Sequence, residues 1–260
     1  MATAAALRIQ IENALANRFP AALTPVPRTI RETASTGMRE IDTLLDGGLP
    51  VGAISELVGP ECSGRTSLTL AFVADRTGEG QVCAWVDAGD AFDPESAAAS
   101  GVQLRQLLWV RCHGSVRSTP ANRWKSKEKF LTKLDQALRV TDLLLQAGGF
   151  GAIVLDMGGM DPAHGMRIPL ASWFRFRQAA DRSRCSLVVL GQSSFAQSSA
   201  ALVLDCGCSP AQNEGETVLT ANSFEFNRRR QRITSQGSVA RKPPASTWTA
   251  PAVWAAERSA

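Results

Sequence analysis

The 260-residue chain has no tyrosine, only two histidines, and six cysteines with no C-x-x-C pair among them. Without that spacing, and with only His113 and His164 to complete a ligand set, a structural zinc site finds little support. Reduced cysteines in a reducing compartment are the simpler reading. No apolar run reaches membrane-spanning length, because Gly, Asp or Gln interrupts each candidate. A basic-then-apolar leader is also missing, since Leu7 to Phe19 mixes Arg, Gln, Glu and Asn among its apolar residues. These absences set the expectation of a cytoplasmic protein with no membrane partner.

What is present suits an α/β protein: 21 glycines, 44% hydrophobic residues and 20% charged residues. That is enough for one well-buried domain with short appendages. The net charge of +4 is mild, but basic residues gather in Arg117 to Lys133 and in Arg228 to Lys242. Each cluster is open to two readings, attraction of a polyanion or a solvated surface.

Along the chain, "AAALRIQIENALANR" (4–18) places Leu7, Ile11, Ala14 and Leu15 on one helical face, and Phe19-Pro20 ends it. A proline-rich linker follows, so residues 1–33 read as a helix and linker, 34–227 as the core and 228–260 as a basic, flexible tail. Within the core, Ser35 or Thr36 is expected to cap a helix carrying Ile41, Leu44 and Leu45, stopped at Gly47-Gly48. "AISELV", "VCAWVDA", "GAIVLDM", "CSLVVLGQ", "ALVLDCG" and "ETVLTANSFEF" read as strands, and 126–149 and the stretch from Pro169 as helices. Strands alternating with helices imply a mostly parallel, doubly wound sheet covered on both faces. In the tail, Trp248 and Trp254 are either partner anchors or chance.

The stretch "VGPECSGRTS" (58–67) follows a strand and opens a helix, which is the context a phosphate-binding loop requires. Gly59 and Gly64 permit the turns, backbone N–H groups and the helix N-terminus attract an anion, and Thr66 offers a hydroxyl to Mg²⁺. Ser63, Arg65 and Ser67 complete the candidate nucleotide contacts. The pattern demands lysine at 65, however. Arginine keeps the charge, but its planar guanidinium replaces a compact ammonium. Asp156 ends "AIVLD" and is either the second metal residue or an ordinary strand-end aspartate.

Taken together, "STGMREIDTLLDGGLPVGAISELVGPECSGRTSLTL", "CAWVDAGDAFDP", "GAIVLD" and "VVLGQ" resemble the RecA recombinase core, over roughly residues 5–205. The resemblance implies a RecA-type P-loop ATPase fold that uses ATP and Mg²⁺ and polymerises on single-stranded DNA. It also implies losses. The family's water-activating glutamate falls at Gly89, and its adenine-stacking tyrosine at Ser96. A positioned general base contributes about 10²–10⁴ in rate, so the Gly89 change outweighs Arg65. Asp93 matches an adenine contact, and Gln192 matches the γ-phosphate sensor. The DNA loop after Gln192 shrinks to "SSFAQSSAA", in which Phe195 is either a stacking wedge or a buried side chain.

The chain is also similar to ImuA-type accessory factors of translesion synthesis. That likeness implies an assembly factor with a worn ATPase site. Its expected partners are an ImuB-like or other Y-family polymerase, RecA, or a second copy of itself. Lys125, Lys127 and Lys129 beside Trp124, with Arg228, Arg229 and Arg230, are candidate non-specific DNA contacts, though the segment around Trp124 equally reads as an exposed insertion loop with no ligand. A slow ATPase or ATP-gated switch, and a regulator of a RecA or cell-division polymer, are the alternatives.

Overall fold

The computed structural model describes residues 29–112, 126–208, 212–214, 218–234 and 245–251, without side chains at the margins of some of these segments. The expected N-terminal helix at 4–18, Trp124, Lys125 and Trp254 lie outside the described residues, as do the side chains of Lys127 and Lys129.

Short strands β1 (Thr29–Ile30), β2 (Thr33–Ala34) and β3 (Leu49–Pro50) bracket helix α1 (Arg39–Leu45). The core then runs through β4 (Ile54–Val58), α2 (Arg65–Gly78), β5 (Cys83–Asp87), α3 (Pro94–Ala99) and β6 (Leu107–Arg111). It continues with α4 (Ser126–Ala147), β7 (Ala152–Asp156), α5 (Pro162–Gly165), α6 (Leu170–Ser183) and β8 (Ser186–Gly191). Last come β9 (Ala200–Cys208), β10 (Gln212–Glu214), β11 (Val218–Gln231), β12 (Ile233–Thr234) and β13 (Ala245–Pro251).

Six strands are parallel, in the order β9-β4-β8-β7-β5-β6, and β11 joins antiparallel at β9 while pairing antiparallel with β10 and β13. Parallel strands need crossover helices, and these cover both faces. Every residue of β4 and β5 is buried for that reason. One face packs Ile54, Val86, Leu155 and Val189 against Leu134 and Leu145 of α4 and Trp173 and Phe176 of α6. The other packs Leu57, Trp85, Val154 and Leu190 against Leu68, Phe72 and Val73 of α2 and Ile41 and Leu44 of α1.

Two local expectations are corrected. Helix α1 is not capped by the side chain of Ser35 or Thr36; its N-cap is Met38, which makes no side-chain cap bond. Asp42 reaches back instead, accepting from Ser35 Oγ (2.8 Å), Thr36 N (2.8 Å) and Thr36 Oγ1 (2.7 Å). The basic segment from 228 is not flexible throughout. Arg228 to Gln231 complete β11, and Ala245–Pro251 form β13, with Trp248 opposite Phe224. Polar sequence hides these strands because each satisfies its backbone through a distant partner.

Candidate nucleotide site

The loop 59–64 leaves the end of β4 beside β8 and β9 and feeds directly into α2. Gly59 donates its N–H to Gly191 O (3.1 Å). It lies so close to β9 that a Cβ at 59 would stand 2.2 Å from Cys206 O, so only glycine fits. Gly64 adopts φ +81°, and a Cβ there would meet the Phe224 ring at 2.7 Å. Behind that ring Trp248 stacks, with centroids 5.4 Å apart. Strands β11 and β13 therefore wall the loop from outside the parallel sheet.

Gly64 is the N-cap of the 14-residue α2 and supplies no side-chain cap. The first N–H groups of that helix are thus open to an anion. Thr66 and Ser67 are exposed at this end, whereas Ser63 and Arg65 are buried. Ser63 Oγ and Arg65 Nη1 are both buried without a hydrogen-bond partner. Two cavities flank the helix start. One, of about 380 Å³, is bounded by Ser63, Gly64, Thr66, Asn222 and Phe224. The other, of about 430 Å³, is bounded by Thr66, Trp85, Phe92, Asp93, Ser96 and Asp156. Arg65 lines both.

Arg65 is only 8% exposed, and its Nη2 lies 3.5 Å from where a Gly158 Cβ would stand, close to Asp156. Burial pushes the guanidinium's pKa down, and the Asp156 carboxylate opposes that shift. Desolvation pushes the Asp156 carboxyl above the usual carboxylate range; a hydrogen bond from Gly158 N (2.9 Å) pulls it back, Asp87 raises it further and Arg65 lowers it. Gln192 donates from Nε2 to Gly158 O (3.2 Å). The loop cation, the strand-end carboxylate and Gln192 thus meet around the turn at 156–158.

The residues expected to contact adenine are already engaged locally. Asp93 caps α3, accepting from Glu95 N (3.3 Å), Ser96 N (3.1 Å) and Ser96 Oγ. The Ser96 hydroxyl followed by its N–H holds the Asp93 carboxyl below the usual range. Asp87, which sequence reasoning missed, accepts from Ala91 N (3.0 Å) and Phe92 N (2.9 Å) and fixes the turn that carries Gly89. A Cβ at 89 would meet nothing closer than 3.9 Å, so a longer side chain has room there.

Among the described residues, the candidate DNA contacts are already engaged within the fold. Phe195 is 2% exposed and packs on Gly165 and Gly191, which rules out a stacking wedge in this conformation. Its loop is pinned by Glu56, a buried carboxylate in β4. Glu56 accepts from Ser194 Oγ (2.5 Å), Phe195 N (2.6 Å) and Ala196 N (2.7 Å). The arginine run is also engaged. Arg228 donates to Leu44 O and Gln231 Oε1 (both 2.8 Å), Arg229 pairs with Asp205 (2.5 Å), and Arg230 donates to Gln197 O. These side chains tie β11 to its neighbours. A lone charge inside the apolar "AISELV" was the available signal for Glu56.

Residues 4–115 match the family described as the RecA N-terminal domain. The chain is 34% identical to Protein RecA of Cereibacter sphaeroides over 176 residues, 62% of this chain and 46% of that protein. It is 32% identical to Protein RecA of Ruegeria pomeroyi over the same length, 45% of that protein. The chain thus aligns with less than half the length of these curated relatives. In fold, it matches a crystal structure of the RadB recombinase with a TM-score of 0.53 at 16% identity, covering 84% of this chain and 94% of that one. The fold is that of a RecA-type α/β core, and the sequence likeness is to RecA. Among the described residues, no helix is long and apolar enough to cross a membrane, and no cluster of three or more metal-ligating side chains forms.

Proposed function

We propose that this chain is a RecA-like assembly factor of the bacterial DNA damage response, with a nucleotide site that has lost rapid hydrolysis. One observation carries the reading: Arg65, in the lysine position, is buried against the Asp156–Gly158 turn, while Gly89 supplies no carboxylate to activate water. The anion cradle itself fits a phosphate. Open N–H groups at the start of α2, the unpartnered Ser63 Oγ and Arg65 Nη1, and the exposed Thr66 would hold it. Mg²⁺ would be held by Thr66 and, through water, by Asp156. ATP would supply the phosphoanhydride, and these residues would bind and orient it, while Gly89 offers no carboxylate to take a proton from the attacking water.

A protein of this kind works through partners. The ones its sequence likeness suggests are an ImuB-like or other Y-family polymerase, RecA, or another copy of the chain, with DNA touched through phosphates. Steady-state ATP turnover with single-stranded DNA tests the reading. Turnover at the rate of an active recombinase refutes it, whereas Arg65→Lys combined with Gly89→Glu is expected to raise a near-zero rate. A second reading, an ATP-gated switch, is favoured by the Gln192–Gly158 contact (3.2 Å), which ties the sensor position to the metal strand. Absence of binding of a labelled ATP analogue at millimolar concentration removes that second reading.

A further inference from the structure

Seven large apolar side chains are exposed among the described residues, and three lie within nine positions: Met166 (57%), Leu170 (52%) and Phe174 (47%). Leu170 and Phe174 are one helical turn apart on α6, and Met166 ends the short helix α5 just before it. Their face of α6 continues at helical spacing into Arg177, Gln178 and Asp181. These three line a cleft of about 400 Å³ with Arg31, Ser198 and Arg232. An apolar ridge thus runs into an arginine cleft.

The cleft's one carboxylate is already neutralised, because Asp181 pairs with Arg31 (2.6 Å). Arg177 and Arg232 make no ion pair with a carboxylate among the described residues; Arg232 donates to Ser198 O (2.8 Å). Arg167, also exposed, adds positive charge beside the ridge. A positive cleft at the end of an apolar ridge complements a ligand that is apolar along one side and anionic at its margin. The Arg177 guanidinium lies 4.9 Å from the Phe174 centroid and occupies a face of that ring. Met166 and Leu170 offer no π-face at all. Base stacking is therefore poorly served, and burial of aliphatic side chains is well served.

We propose that this surface docks an acidic amphipathic helix of a partner protein. Its apolar anchors would cover Met166, Leu170 and Phe174, and its carboxylates would enter the Arg177–Arg232 cleft. The proposal rests on the assembly reading and gives it a contact surface on α6, which packs on the sheet face opposite to α2.

The test is fluorescence anisotropy of the full chain with a labelled synthetic helix of about four turns, carrying leucines at i, i+4, i+7 and i+11 and glutamates elsewhere. Binding is expected, and either Phe174→Ser or Arg177→Glu weakens it at least about tenfold. Both positions are exposed, and circular dichroism checks that the variants fold. A version with lysine for glutamate is expected not to bind. Equal binding of the two peptides, an unchanged affinity in either variant, or displacement by oligothymidine overturns the proposal. So does concentration-dependent self-association that Phe174→Ser abolishes, since the face would then belong to a second copy. Brisk ATP turnover would refute the assembly reading without altering these affinities, so the two failures are distinguishable.

Discussion

Replacing Glu56 by alanine tests whether the loop after Gln192 is a fixed part of the fold. The Glu56 Oε1 atom alone accepts from Phe195 N (2.6 Å) and Ala196 N (2.7 Å), and Oε2 accepts from Ser194 Oγ (2.5 Å). Alanine leaves both buried N–H groups unsatisfied, at about 1–3 kcal/mol each, so the loss is about 2–6 kcal/mol. That is a large share of the total stability of a domain, about 5–15 kcal/mol. At about 2–4 °C per kcal/mol, the mid-range expectation is a fall of about 12 °C in Tm. Glutamine behaves differently. Its carbonyl oxygen can serve both N–H groups while its amide donates to Ser194 Oγ, so only charge assistance is lost, about 1 kcal/mol. Thermal melts of Glu56→Ala and Glu56→Gln give the two numbers, and limited proteolysis reports whether cleavage appears at 193–199. A fall below about 3 °C for alanine, or equal effects of the two substitutions, refutes the clamp.

Three further outcomes follow from the site. Burial raises the Asp156 carboxyl pKa in the folded state, so its contribution to stability is present below the ordinary carboxylate range and is lost as pH rises through the raised value. Asp156→Asn is therefore expected to flatten the dependence of Tm on pH from acid to neutral and to raise Tm at neutral pH; an unchanged profile contradicts this. Phe224→Ala removes the ring between Gly64 and Trp248 and is expected to cost about 3–5 kcal/mol, measured by urea unfolding. In the ATPase assay, Gly89→Glu added to Arg65→Lys is expected to give more than Arg65→Lys alone, and the reverse ranking would point to another cause of silence.

The parallel core was readable because each strand is a short apolar run ending in punctuation. "AISELV", "VCAWVDA", "GAIVLDM" and "CSLVVLGQ" contain β4, β5, β7 and β8. The phosphate loop was readable because its glycines are demanded by local geometry at 59 and 64. Long-range pairing was not. Strand β6, "LLWVR", has partly exposed residues on both sides, and β13 is polar between its tryptophan and proline, so neither has a clear period. Phe195 shows the limit for the site. Its residue type allows stacking or packing, and only the glycines at 165 and 191, which make space for the ring, decide between them.

Trimming the chain at residue 244 would look harmless from composition alone. It would in fact strip away the antiparallel partner of Ala221 to Asn227 and bare the Trp248 side of the Phe224 ring that stands over Gly64. The glycine loop would then lose a wall that only the far end of the chain provides.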